Sequence, residues 1–395
     1  MPESLPVVAD LAWPFALLVA WVAGEFGHRW TGLPRLSFYG LAGFLLANAQ
    51  AGFLPQETGG TLMLLANVAF GLILFEFGYR INLRWLRTNP WIGATGLLEA
   101  IGTFAAVYEV AQWYGMSMMT ALLLASLAMS TSPATVMRIV NERRSSGQVT
   151  ERVLHLSAIN CILAVFTFKV IVGFWVFQSS GSFWQAAWSS LVMLSVSAAL
   201  GGVFGVAVPG LLRRLGNLGR DATVAFAIAV IFLVTVAHTL KLSPILATLI
   251  FGFVARHRRV ALSQAQRNFG ALGDMLTVLL FVFVASTLEW PRVMAGIGLA
   301  LALIGARFAA KTAGVAIFSR LSGISWRKGV LTGIALTPIS VFVILMLEQT
   351  RYLGIDLVDQ LAPLAAATLL LEIVGPALTQ RALIWAGETP SAPET

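Results

Sequence analysis

The chain has 395 residues, 58% of them hydrophobic and only 11% charged, a balance that excludes a water-soluble core and marks an integral membrane protein. Its single cysteine, Cys161, excludes an internal disulfide and a cysteine-based metal cluster, and His28, His155, His238 and His257 are scattered without metal-ligand spacing. The formal charge of +8 would suit a nucleic-acid partner, but its distribution along the chain gives it another meaning.

The N-terminal MPESLPVVAD is acidic and carries proline where an export signal is basic, so the first helix is expected to stay in the chain. Apolar stretches then recur, each long enough to cross roughly 30 Å of hydrocarbon as a helix and none with the alternation of a barrel strand. They predict spans near 11–27, 36–54, 61–79, 91–114, 117–140, 153–177, 184–212, 222–240, 242–256, 269–288, 293–318, 329–348 and 361–386: an all-α polytopic membrane protein of about thirteen transmembrane helices. Turn chemistry separates them, as in PQETGG at 55–60, TNP at 88–90, QSSGS at 178–182 and RLGNLGRD at 214–221.

Alternate loops of such a chain face the same side, and cytoplasmic loops collect lysine and arginine. One set holds Arg29, Arg35, Arg80, Arg84, Arg87, Arg138, Arg143, Arg144, Arg152, Arg213, Arg214, Arg220, Arg256, Arg258, Arg259, Arg267, Arg320, Arg327, Lys328 and Arg381; the other only Lys241, Arg292 and Arg351. The basic excess is therefore an orientation signal and not a nucleic-acid footprint. It predicts a multi-pass protein of the plasma (inner) membrane with its N-terminus outside and its C-terminus in the cytoplasm.

Two spans carry the same interruption: AMSTSPATVM at 128–137 in the fifth and IALTPISVFV at 334–343 in the twelfth. Proline removes a backbone donor and disfavours helix just before it, so both spans should break near Pro133 and Pro338. Hydroxyls of Ser130, Thr131, Ser132, Thr337 and Ser340 are placed to satisfy the freed backbone. Prolines kink many membrane helices without a transport role, but two matching cores in helices of opposite direction favour a site. They imply an inverted repeat: residues 1–182 with helices 1–6, residues 183–215 as a linking seventh helix, and residues 216–395 with helices 8–13, core and dimerisation domains being interleaved.

With LILFEFGYRINLRWLR (72–87), LAMSTSPATVMRIVNE (127–142), DMLTVLLFVFVASTLEW (274–290), ARFAAKTAGVAIFSRLSGISWRKGVLTGIALTPIS (306–340) and LLLEIVGPALTQRAL (369–383) in this order, the chain resembles the monovalent cation/proton antiporter superfamily, in particular its bacterial Kef-type branch. The resemblance implies a homodimer whose core, holding two crossed broken helices, moves like an elevator against a dimerisation domain, and sodium or potassium and protons as the exchanged species. It puts the crossing at Thr131 to Pro133 and Thr337 to Ser340, matches the lysine of the eleventh helix to Lys311, and matches the acidic pair of the sixth helix to Asn160 and Cys161.

At the second of those positions the family keeps the acid that binds the cation and exchanges it for a proton. A carboxylate supplies negative charge and hard oxygen ligands to an alkali ion; a thiol, with an ordinary pKa of about 8.5, is mostly neutral and supplies neither. Cys161 in that place equally suits a small packing residue. Glu99, mid-span in the fourth helix, is expected to pair with Lys311 or Arg307, as a structural tie or as a proton carrier. Lys169 lies nine residues beyond Asn160, about 13 Å along a helix, and either snorkels to the outer interface or faces the pathway. Glu76 and Glu372 read as packing or interface acids, and His155 as a loop-facing histidine at the cytoplasmic mouth.

These features predict a secondary active transporter with a non-standard ion site. Two other readings keep the scaffold: a carrier of an anion or neutral solute, which a site holding Lys169, Arg307 and Lys311 against Glu99 would suit, and a non-transporting sensor or subunit. No nucleophile and base at useful spacing, no metal cluster and no phosphate-cradling glycine loop are found, so neither an enzyme nor a cofactor is expected. After the thirteenth helix the sequence ends in GETPSAPET, and no nucleotide-binding domain is expected there.

Overall fold

The computed structural model describes residues 6–55, 60–176, 183–214, 222–258, 269–340, 343, 346 and 362–390. The turns at 178–182 and 215–221, the basic residues Arg220, Arg259, Arg267 and Arg351, and most of the far half of the twelfth predicted span lie outside the described residues.

Among the described residues every regular element is a helix: α1 Pro6–Thr31, α2 Arg35–Leu46, α3 Gly60–Arg80, α4 Leu83–Thr88, α5 Trp91–Trp113, α6 Met118–Ala128, α7 Pro133–Glu142, α8 Gln148–Val176, α9 Phe183–Arg214, α10 Ala222–Thr239, α11 Pro244–His257, α12 Gly270–Ser286, α13 Trp290–Ile317, α14 Trp326–Ala335 and α15 Ala362–Trp385. Nine described stretches are long and apolar enough to cross a membrane, and α2, α11 and α12 are shorter apolar helices. The short α4 falls where a plain loop is expected from sequence. It forms because the Asn82 side chain accepts hydrogen bonds from the backbone N–H groups of Arg84 (3.0 Å) and Trp85 (3.4 Å).

Serine caps start four further helices, with Ser117, Ser132, Ser243 and Ser325 each accepting from a backbone N–H three residues on. In α7 and α11 the next residue is proline, whose missing N–H costs nothing in a first helical turn. Pro14, Pro209 and Pro376, by contrast, sit inside unbroken helices. Proline alone therefore does not make the breaks of this molecule.

The helices pack in two groups. One joins α1, α2, α3 and α12 with α9, α10 and α11; the other joins α5, α6, α8, α13, α14 and α15. Between them α7 packs on α3, α8 and α15, while α2 meets α15 and α8 meets α9. Glycines allow close approaches between helices: a methyl group placed on Gly314 of α13 would lie 2.8 Å from the Glu99 Cα of α5, and one on Gly375 of α15 would lie 3.0 Å from the Pro338 Cα. Both approaches lie where the polar site is built.

Candidate functional site

The predicted interruptions are present. α6 ends at Ala128 and α7 begins at Pro133; α14 ends at Ala335, and helix is found again at Val343 and Met346. The two breaks meet. The Ser132 N–H donates to the Pro338 carbonyl (3.0 Å) and the Thr131 hydroxyl to the Leu336 carbonyl (3.2 Å). Ser130 and Thr337 turn their hydroxyls back to Leu127 (2.7 Å) and Ile334 (2.5 Å), and Ser132 caps α7. Ser340 differs from this expectation: its hydroxyl makes no hydrogen bond to the backbone and stands beside the Cys161 thiol.

Arg307 of α13 closes the crossing. Its Nε donates to the Ala128 carbonyl (2.8 Å), its Nη2 to the carbonyls of Ser130 (2.7 Å), Pro338 (3.2 Å) and Leu336 (3.3 Å), and its Nη1 to that of Thr337. The guanidinium thus donates to the C-terminal ends of both α6 and α14, where orphaned carbonyls and the negative dipole ends converge. Arg307 is 2% exposed, so these carbonyls take the place of water around the charge. The expected alternative of an Arg307 to Glu99 pair is not formed.

Glu99 pairs instead with Lys311, one turn further along α13. The Lys311 Nζ contacts the Glu99 Oε1 and donates to the Met129 carbonyl of the first break (2.9 Å), and both side chains are fully buried. Thr103 donates to the Glu99 backbone carbonyl (2.8 Å) and lies 3.4 Å from Oε1, while the carboxylate's Oε2 has no hydrogen-bond partner among the described residues. One buried ion pair therefore stands directly on the broken backbone.

From the other side α8 presents Ser157, Asn160 and Cys161, spaced so that they share a helix face. The Asn160 Nδ2 donates to the Thr131 hydroxyl (3.3 Å) and the Cys161 thiol to the Thr131 carbonyl (3.2 Å). The Asn160 Oδ1 and the Ser157 hydroxyl are fully buried without a described partner. Ser157 escapes sequence reasoning because a serine in LSAIN carries no motif; only its helix phase relative to Asn160 could have pointed to it. Cys161 also lines a small apolar pocket with Leu74, Phe77, Pro133, Ile245 and Leu249, between α8 and the α3 and α11 helices.

The other predicted residues lie apart. Lys169 is half-buried, makes no ion pair among the described residues and stays outside the hydrogen-bonded crossing. His155 is not loop-facing: it is buried, stacks on Trp85 at 4.4 Å, and accepts the Asn82 N–H at Nε2 (3.2 Å). α4 supplies the ring and the cap that hold it, which explains why a chain read without α4 leaves this histidine in a loop. On the same side a small cleft, partly open to solvent, is lined by Glu76, Arg138, Asn141 and Asp274, with an Arg138–Asp274 ion pair across it.

A bundle of membrane helices, two of them interrupted and crossed over a buried guanidinium, defines a secondary transporter of the broken-helix class. Residues 15–385 match the model of the sodium/hydrogen exchanger family, transmembrane region. The fold is similar to that of the sodium proton antiporter MjNhaP1 of Methanocaldococcus jannaschii at pH 8, with a TM-score of 0.68 and 15% identity over 97% of each chain. No curated protein matches the chain. The chain belongs to the sodium/hydrogen exchanger family: it is a multi-pass membrane transporter and not an enzyme.

Proposed function

We propose that the protein exchanges monovalent cations, sodium or potassium, for protons through a site that lacks the usual carboxylate on α8. The observation that carries this reading is the buried Lys311–Glu99 pair resting on the Met129 carbonyl. The pair is neutral when Lys311 is charged and Glu99 ionised. A cation entering beside it adds one positive charge in a medium of low dielectric, and release of one proton from the pair restores the balance. Neutral oxygens of Asn160, Ser157, Thr131 and Ser340 are the ligands within reach of the crossing, a donor set suited to a weakly bound alkali ion.

Movement would follow the two packing groups, with the crossing, α8 and α13 to α15 travelling as a core against α1 to α3 and α9 to α12, in a homodimer of the inner membrane with an outside N-terminus. The division into repeats at 1–182 and 216–395 belongs to the same proposal. The test is exchange in proteoliposomes carrying a pH-sensitive dye. Alkali-driven proton movement that Glu99→Gln abolishes is expected; a folded wild-type protein indifferent to sodium, potassium and lithium would sink the reading.

A second reading rests on Arg307 and Lys311 facing a single acid, a surplus of positive charge that would suit an anion. It predicts solute transport lost in Lys311→Ala with alkali ions irrelevant throughout.

A further inference from the structure

Glu372 is mid-helix in α15 and 6% exposed, and neither of its carboxylate oxygens has a hydrogen-bond partner among the described residues. Its side chain packs on α2 at Gly40, where an added methyl group would lie 3.1 Å from the Glu372 Cγ. The Ser37 hydroxyl of α2, one turn away, donates to the neighbouring Ile373 carbonyl (2.7 Å) rather than to the carboxyl group. One turn further along α15, Gly375 packs on Pro338 of the second break.

Among the described side chains, the charged groups on the elements packed against α15 are engaged elsewhere. On α2, Arg35 pairs with Glu25 and Glu142, and the Tyr39 ring lies against Gly24 of α1. On α7, Arg138 pairs with Asp274 and Glu142 with Arg35; on α13, Arg307 is spent on the breaks and Lys311 on Glu99. On α14, Arg327 donates to the Trp385 carbonyl (3.1 Å) and Lys328 to Gln148 (3.1 Å). A carboxylate so enclosed is far costlier than the neutral acid, so the seat against Gly40 accepts the protonated form.

In the proposed repeat, α15 is the counterpart of α8, the helix on which Cys161 stands where the family keeps its acid. We propose that Glu372 is a second proton-carrying carboxyl of this transporter, placed on the counterpart helix in the interface between the two packing groups. Protonated, it fills the space against Gly40; on giving its proton to water it becomes an anion that this apolar seat rejects, which favours separation of α15 from α2. Proton release is thereby coupled to movement of the core. The inference deepens the antiport reading and rests on it.

Two measurements on the full chain test it. In proteoliposomes, Glu372→Gln is expected to fold and melt like the wild type, to slow exchange more than about tenfold and to flatten its pH dependence, with Glu372→Asp restoring part of both. In the wild-type protein, a hydrophobic carbodiimide, which reacts with protonated buried carboxyls, is expected to label Glu372, and to do so less as pH rises. Glu372→Gln exchanging at the wild-type rate with an unchanged pH profile overturns the assignment, as does a Glu372 that resists the reagent at every pH. The labelling reads proton binding whether or not alkali ions are exchanged, so its failure is distinguishable from failure of the antiport reading.

Discussion

The Glu99–Lys311 pair is a liability that only its context makes tolerable. Both groups are fully buried, and deleting one leaves the other as an uncompensated charge. Glu99→Leu is expected to destabilise the solubilised protein by about 3–5 kcal/mol, while Glu99→Leu with Lys311→Leu recovers most of that loss, because a matched apolar pair needs no solvation. Melting temperatures of the two single variants and the double variant check this. A double variant no better than the singles would mean that Lys311 acts through the Met129 carbonyl and not through Glu99. The sequence makes this pair legible, since a mid-span acid and a mid-span lysine in a membrane must find partners. It leaves Arg307 ambiguous, because one arginine can serve a carboxylate or several carbonyls, and only the convergence of α6 and α14 decides for the carbonyls.

At the scale of elements, the interruptions are legible and their consequences are not. The proline and hydroxyl spacing places both breaks, yet the bonds that hold them cross between segments about two hundred residues apart, as Thr131 and Leu336 do. Arg307→Met is therefore expected to cost more than an ordinary buried substitution, on the order of 3–5 kcal/mol, as five carbonyls lose a charged donor. Arg307→Lys recovers little of it, because an ammonium group cannot reproduce the planar fork. Thermal melting in detergent reads both, and a stable Arg307→Met variant would show that the breaks hold themselves.

The same limit applies to Glu388. Just beyond α15, its carboxylate accepts the Val149 and Thr150 N–H groups (2.8 Å each) and the Thr150 hydroxyl (2.9 Å), capping α8 from the far end of the chain. No local pattern could reveal a cap 239 residues away. Glu388→Ala should cost about 1–2 kcal/mol, measured by the same melting experiment, with no loss expected if these N–H groups find water instead.

In the whole molecule, the side of the bundle that holds the cleft lined by Glu76, Arg138, Asn141 and Asp274 ties the two packing groups together through α7. Glu142 pairs with Arg35 of α2 and lies 3.5 Å from the His28 ring, Arg138 pairs with Asp274 of α12, and Asn141 donates to Glu76 of α3 (2.8 Å). If the crossing travels with α7 and α8 against α2, α3 and α12, these ties must break in each cycle, and they bias the protein toward the arrangement described here. Removing two of them is tolerable, since Arg35 keeps Glu25 and Asp274 is half exposed to solvent. The chain carries its own reporter. Cys161 is the single cysteine of the sequence, buried against Leu74, Ile245 and Leu249 of the opposing group, so the proposed movement is expected to make it reachable when the groups part. Arg138→Gln combined with Glu142→Gln is expected to speed labelling of Cys161 by a polar thiol reagent, added on the side of the ties, about tenfold, the response to a shift of about 1.4 kcal/mol. Sodium or potassium at saturating concentration should change the labelling rate of the wild type, because a bound cation sits beside that thiol in the proposed site. Identical rates in the variant and the wild type, with cations without effect, would mean that α8 and α3 do not separate, and the moving core would have to be given up.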